Sequence, residues 1–156
     1  CIKNMINKTE LEIGQILWLK VRYQIDVISE IKHPMLIAKI EKDYIELIAL
    51  DKTAGKLHQL YHHYNYYVDS KNPKESVIFE DSYAQLNTKL TIDKIDELKL
   101  SRKTLNKLSE NKLNTILDEY QNYQNKYGVE EQRIVHMTNN EILYLNPDLQ
   151  QNLVTE

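Results

Sequence analysis

KHPMLIAKIEKDYIELIALDKT, residues Lys32 to Thr53, decides the fold. It holds two apolar runs, Met35–Ala38 and Tyr44–Leu50, on either side of a polar hinge, Glu41-Lys42-Asp43. Short Ile-rich runs bounded by polar residues read as two strands of one hairpin. Pro34 fits a strand's start, where its missing N–H leaves no ladder bond unmade. Antiparallel pairing brings the mouth of the first strand, Lys32-His33, back beside the end of the second, Asp51-Lys52-Thr53. Imidazole, amine, carboxylate and hydroxyl groups are therefore expected at one end of a small sheet.

On the N-terminal side, QILWLKVRY (Gln15–Tyr23) reads as one strand. Leu17, Leu19, Val21 and Tyr23 fall on one wholly apolar face. Ile16, Trp18, Lys20 and Arg22 fall on the other, which runs from apolar to basic. Residues 1–9 read as a polar leader, Thr9–Ile13 as a single turn broken by Gly14, and Gln24–Ile31 as a connection. On the C-terminal side, Thr53-Ala54-Gly55 reads as a turn, and the aromatic segment Lys56–Val68 as one or two strands. Asn72-Pro73 marks a loop, and Ser76–Phe79 and Tyr83–Leu86 are short strand candidates. Closely spaced short strands of this kind predict a curled antiparallel barrel, not alternating β-α units. The pattern changes after Leu90. Thr91–Leu98 reads as a short helix, with Ile92, Ile95 and Leu98 three apart. Ser109 caps a longer one through Leu113, Ile116, Leu117, Tyr120, Tyr123 and Tyr127, ended by Gly128. Ile142–Leu145 reads as an added strand or short helix before a frayed tail. The expected fold is one α+β domain over 1–156: barrel over 10–90, helical part over 91–128, extension over 129–156.

A net charge of -3 on 156 residues supplies no global basic field, so any nucleic-acid contact rests on a local patch. Cys1 is the single cysteine, so no disulfide or cysteine zinc site forms within this sequence, which fits a reducing compartment. No apolar run approaches the roughly 18 residues of a membrane span. The opening CIKNMINKTE has no apolar core of signal-peptide length. A start on Cys1 instead of Met is read as a few leading residues being absent. Cytoplasmic residence is expected. No phosphate-cradling glycine loop, nucleophile elbow or HExxH motif is present.

Two constellations bear on chemistry. The first is Lys32-His33 with Asp51-Lys52-Thr53. Cleaving RNA without metal takes a base for the 2′-hydroxyl, a cation for the phosphorane and an acid for the leaving oxygen. Histidine suits the proton transfers and lysine the charge. The competing reading is a strand end with solvated charges. The second is KLHQLYHHYNYY (Lys56–Tyr67), with three of the five histidines and four tyrosines. Such rings can stack on splayed bases, or simply pack. His62-His63 makes a poor chelate, because neighbours on a strand point to opposite faces. The Tyr120, Tyr123, Tyr127 stripe reads as packing.

In their order these stretches resemble the PemK/MazF-like toxin superfamily. Gly14–Trp18 is similar to its opening "G-D-I-hydrophobic" strand, and His33–Ile37 to its "R-P-hydrophobic-hydrophobic-I" strand. Glu46–Asp51 sits where the next strand ends at a catalytic hydroxyl. Leu86–Lys94 resembles "L-D-Q-x-R-T-I-D-K", and helices follow. The resemblance spans Gly14 to Tyr127. It departs from the family at the site: His33 stands where the family has Arg, Asp51 where it has Thr or Ser, and Leu90, beside Lys89, at the later Arg. Lys32, Lys52 and Thr53 look closer to the type III branch, whose antitoxin is a small RNA.

The resemblance implies an SH3-like barrel with C-terminal helices and a toxin–antitoxin endoribonuclease. Such an enzyme cuts single-stranded RNA without metal or cofactor and leaves a 2′,3′-cyclic phosphate. In this reading His33 handles a proton, Lys32 and Lys52 steady the phosphate, and Thr53 or Asp51 orients the scissile group. Lys20, Arg22, Lys56 and His58 contact RNA backbone, while Tyr61 or Tyr64 stacks a base. A cognate antitoxin, RNA or protein, and a homodimer follow from the same likeness. The alternative is a non-catalytic binder: the same fold hosts CcdB, a gyrase poison that works by protein contact. A third reading is a plain RNA-binding module.

Overall fold

A computed structural model describes residues 9–70 and 80–150. Its centre is the hairpin of β4 (His33–Ile40) and β5 (Tyr44–Lys52). Met35 pairs with Ala49, Leu36 with Ile48 and Ile37 with Leu47; the register then shifts before Lys39 pairs with Glu46. The turn closes where Glu41 N–H donates to the Tyr44 carbonyl at 2.9 Å.

β1 (Ile16–Leu19) lies antiparallel along β4, with Leu19 opposite His33. The other edge of β5 is shared. Its first half pairs with β8 (Lys89–Asp93), and its end, Leu50–Lys52, pairs with β7 (Ser82–Gln85). β6 (Asn65–Val68) adds beside β7, and β9 (Ile134–Met137) joins β8 in parallel. β2 (Arg22–Gln24) and β3 (Val27–Ile28) form a separate two-stranded ribbon. The fold is α+β with a mostly antiparallel sheet that does not close into a barrel.

Strand alternation gives the sheet two buried faces. Leu17, Met35, Ile37, Ile45, Leu47, Leu90 and Ile92 share one core with Val135, Leu98 and Ile142. Ile16, Leu36, Ile48, Leu50 and Ala84 share the other with Ile116 and Tyr120. Met35, Leu36 and Ile37 of β4 and Ile45, Leu47, Ile48 and Leu50 of β5 are therefore sealed from water, each contributing about 1.5–3 kcal/mol. The second face is covered by α1 (Glu110–Tyr127), whose Ser109 hydroxyl accepts from Lys112 N–H and whose C-cap Gly128 takes φ +72°. α2 (Asn139–Leu145) follows β9, its N-terminus capped by Thr138. Among the described residues, no helix is long and apolar enough to cross a membrane.

Several elements depart from expectation. The run Gln15–Tyr23 breaks after Leu19 because side chains take over its backbone groups. Asn146 accepts from Lys20 N–H and donates to the Lys20 carbonyl, and the Ser29 hydroxyl accepts from Val21 N–H at 2.8 Å. The expected connection Gln24–Ile31 contains β3. Lys56–Val68 is not all strand. A 3₁₀ helix spans Leu57–Tyr61 after Gly55 turns at φ +74°, and only Asn65–Val68 is extended. The expected helix Thr91–Leu98 is β8 followed by a 3₁₀ helix, Asp96–Ser101. The alternation of Leu90 and Ile92 inside the sheet outweighs the three-residue spacing. β9 was not expected. Of the two readings for Ile142–Leu145, the short helix holds. The tail is not frayed as far as Leu149, which is fully buried. The Ser76–Phe79 candidate lies outside the described residues, as does the leader apart from Thr9.

Candidate functional site

β4 begins where β5 ends. The β4–β5 pairing ends at Met35–Ala49, and His33 and Asp51 lie two residues beyond that last pair on their respective strands. Both side chains line two adjoining clefts. The larger, about 520 Å³, has apolar walls from Val21, Ile28 and Met35, with His33, Asp51 and Lys56 at its polar end. The smaller, about 230 Å³, is lined by Trp18, Lys32, Lys52 and again His33, Asp51 and Lys56. The last three stand on the wall common to both.

Asp51 is the electrostatic hub. Its carboxylate accepts from Lys56 Nζ at 2.9 Å, from the Tyr83 hydroxyl at 3.1 Å and from Lys52 N–H at 2.8 Å. Its side chain is 16% exposed and that of Lys56 is 41% exposed, so the pair is open to solvent on the lysine side. Burial pushes the Tyr83 phenol well above its usual range, and the Asp51 charge and hydrogen bond add to this. Tyr83 thus stays protonated and donating. Sequence reasoning missed it, because its role depends on the Asp51–Tyr83 cross-strand pair of β5 and β7. No local pattern signals that pairing.

His33, Asp51, Lys52 and Lys56 are brought together, and Lys32 lines the smaller cleft. Lys32 Nζ is held by Asp148 at 2.5 Å. Thr53 is close in sequence but 6% exposed, its hydroxyl donating to the Asp81 carbonyl at 3.3 Å. Its hydroxyl is spent on the turn to Asp81 and does not line either cleft. Arg22 lies over β9 and α2, donating to both Glu141 oxygens at 2.7 and 3.1 Å and to the His136 carbonyl. The Glu141 hydrogen bond raises its pKa. Neither Lys20 nor Arg22 lines the clefts of His33. His58 is exposed on the 3₁₀ helix, and Tyr61 beside it is 91% exposed; neither lines those clefts. Tyr64 belongs to a separate pocket. Among the described residues, no three His, Cys, Asp or Glu side chains gather as a metal ion would need.

A hydroxyl-bearing phosphodiester in these clefts would meet the His33 imidazole, the ammonium groups of Lys32, Lys52 and Lys56, and the carboxylates of Asp51, Glu30 and Glu80. That set suits proton transfer beside a developing negative charge. No family model, curated protein or solved structure matches the chain.

Proposed function

We propose that the chain is a divergent PemK/MazF-like toxin, its curled sheet a variant of the SH3-like barrel, and that it cleaves single-stranded RNA without metal. The observation that supports this reading is the common wall of His33, Asp51 and Lys56 between two open clefts. His33 takes the proton of a 2′-hydroxyl. The 2′-oxygen attacks the adjacent phosphorus, and the bond from phosphorus to the 5′-oxygen breaks. The 5′-oxygen leaves with a proton returned by the imidazolium, and a 2′,3′-cyclic phosphate remains. Lys52 and Lys56 face the charge that builds on the phosphorane, and Asp51 fixes the position of Lys56. The toxin would act in the cytoplasm under a cognate antitoxin.

The test is cleavage of defined transcripts in EDTA by wild type and His33→Ala. Loss of a general acid–base typically costs 10²–10⁴-fold, so the variant is expected to lose at least about tenfold. Equal cleavage by both proteins would sink the enzyme reading.

A second reading, a non-catalytic binder of the CcdB-like kind, draws on a different observation. Three expected site groups are engaged elsewhere: Lys32 with Asp148, Arg22 with Glu141 and Thr53 with Asp81. No cleavage of any transcript, together with a stable protein complex, favours this alternative.

A further inference from the structure

Away from His33, the aromatic segment meets the end of α1. His63 packs against Tyr123 and Tyr127 with ring centroids 5.5 and 4.9 Å apart, and these two tyrosines lie 4.8 Å from each other. Tyr64 stacks on His62 at 4.9 Å with planes 9° apart, and meets His63 edge-on. These rings do not close into a solid core. His63, Tyr64, Tyr123 and Tyr127, with Asn87, Arg133 and the Glu130 carboxylate, line an open pocket of about 400 Å³. A smaller pocket of about 140 Å³ adjoins it, sharing Tyr64, Asn87 and Arg133 and adding Asn65.

Two amide oxygens here are unmet. Asn87 Oδ1 and Asn65 Oδ1 are buried with no hydrogen-bond donor among the described residues. Asn65 at least donates its amide to the Gln59 carbonyl at 2.9 Å. The Asn87 side chain makes no hydrogen bond to a described residue, and Asn87 lines both pockets. Its backbone does not call for asparagine either, since no residue but glycine takes a positive φ. Buried amides are normally satisfied, and one left unpaired costs stability unless something else requires it. Arg133 spends one N–H on the Thr88 hydroxyl at 3.2 Å and lines both pockets.

Tyrosine and histidine faces, a carboxamide able to donate and accept together, and a guanidinium are the groups that stack on a heteroaromatic ring and read its edge. We infer that this trough is a nucleobase-binding subsite, in which Tyr64, Tyr123 or Tyr127 stacks the ring and Asn87 reads its edge. Tyr23 and Gln85 line both the smaller pocket and the cleft of His33. A base held in the trough therefore lies on a track that leads to that cleft. The subsite stands whether or not the chain cleaves RNA.

Calorimetric titration with AMP, GMP, CMP, UMP and a short single-stranded RNA tests this on wild type, Asn87→Leu, Tyr127→Ala and His33→Ala. Asn87 makes no hydrogen bond to lose, so Asn87→Leu is expected to fold with a Tm no lower than wild type. It should bind at least about tenfold more weakly, the worth of one edge-reading hydrogen-bond pair. Tyr127 is half exposed at the helix end, so its truncation keeps the fold and supplies a second test, again about tenfold weaker through lost stacking. His33→Ala should bind the mononucleotides like wild type, because His33 lines neither pocket of the trough, and this separates the subsite from the cleavage reading. Binding of a mononucleotide identifies free nucleotide as the ligand; binding of the oligonucleotide alone identifies RNA. Absence of binding by every probe, or unchanged affinity in both Asn87→Leu and Tyr127→Ala, overturns the inference.

Discussion

Replacing Asp51 with alanine tests whether one carboxylate holds the polar end of the cleft together. The substitution leaves the Tyr83 hydroxyl, on a residue buried in β7, without its acceptor. A buried polar group stranded in this way costs about 1–3 kcal/mol. The Lys56 pair is lost as well, but Lys56 is partly solvated, so that adds at most about 1 kcal/mol. The expected loss is about 3 kcal/mol, or about 6–12 °C in Tm for a chain of this size. Most of the penalty comes from the stranded donor, so removing the donor too should recover part of it. Asp51→Ala/Tyr83→Phe is expected to be about 1–2 kcal/mol more stable than the sum of the two single losses. Urea unfolding followed by Trp18 fluorescence measures all four proteins. Additivity within about 0.5 kcal/mol would refute the shared network and leave Asp51 a solvated charge.

High pH should destabilise the protein through its buried phenols. Tyr83 and Tyr120 are both raised, mainly by burial and then by the nearby carboxylates of Asp51 and Glu46. Their contribution is complete below the unfolded tyrosine value, about pH 10, and is lost as pH rises beyond it. Tyr120→Phe should flatten that alkaline loss, as urea midpoints between pH 7 and 11.5 will show. Arg102→Met should cost at least about 3 kcal/mol in urea unfolding. It removes a buried guanidinium that donates to the carbonyls of Thr9, Glu10 and Lys99 and to Gln15 Oε1. Gly14→Ala should cost about 1–3 kcal/mol by thermal melting. Gly14 sits at φ +98°, and an added Cβ would lie 3.0 Å from a Leu113 methyl.

The parts of the fold legible in the sequence are those set by local pattern. The alternating apolar residues of β4 and β5 flank a polar hinge, and α1 carries its own Ser109 and Gly128 stops. The rest depends on partners far away in the chain. β1 ends where it does because of Asn146, and Thr91-Ile92 is extended because a gap between β5 and β9 is waiting for it. Arg102 looks like an ordinary surface residue in Ser101-Arg102-Lys103, but is buried among carbonyls from the chain's N-terminal part. The site divides along the same line. His33, Asp51 and Lys52 follow from the hairpin alone. Tyr83 needed the β5–β7 pairing, and the withdrawal of Arg22 and Thr53 needed Glu141 and the Asp81 carbonyl.

Asn146 ties both backbone groups of Lys20 across 126 residues of sequence, and this sets a schedule for synthesis. On the ribosome, the cap just past the first strand cannot form until the residues after α2 have left the exit tunnel. Until then its end has no cap, and the face of β4 and β5 that packs with Val135 and Ile142 lacks those partners, while α1 covers the other face. Contacts of such long range slow folding and prolong exposure to aggregation. A chain truncated after Leu145 lacks Asn146 and Leu149 and should therefore bind chaperones more than the full sequence does.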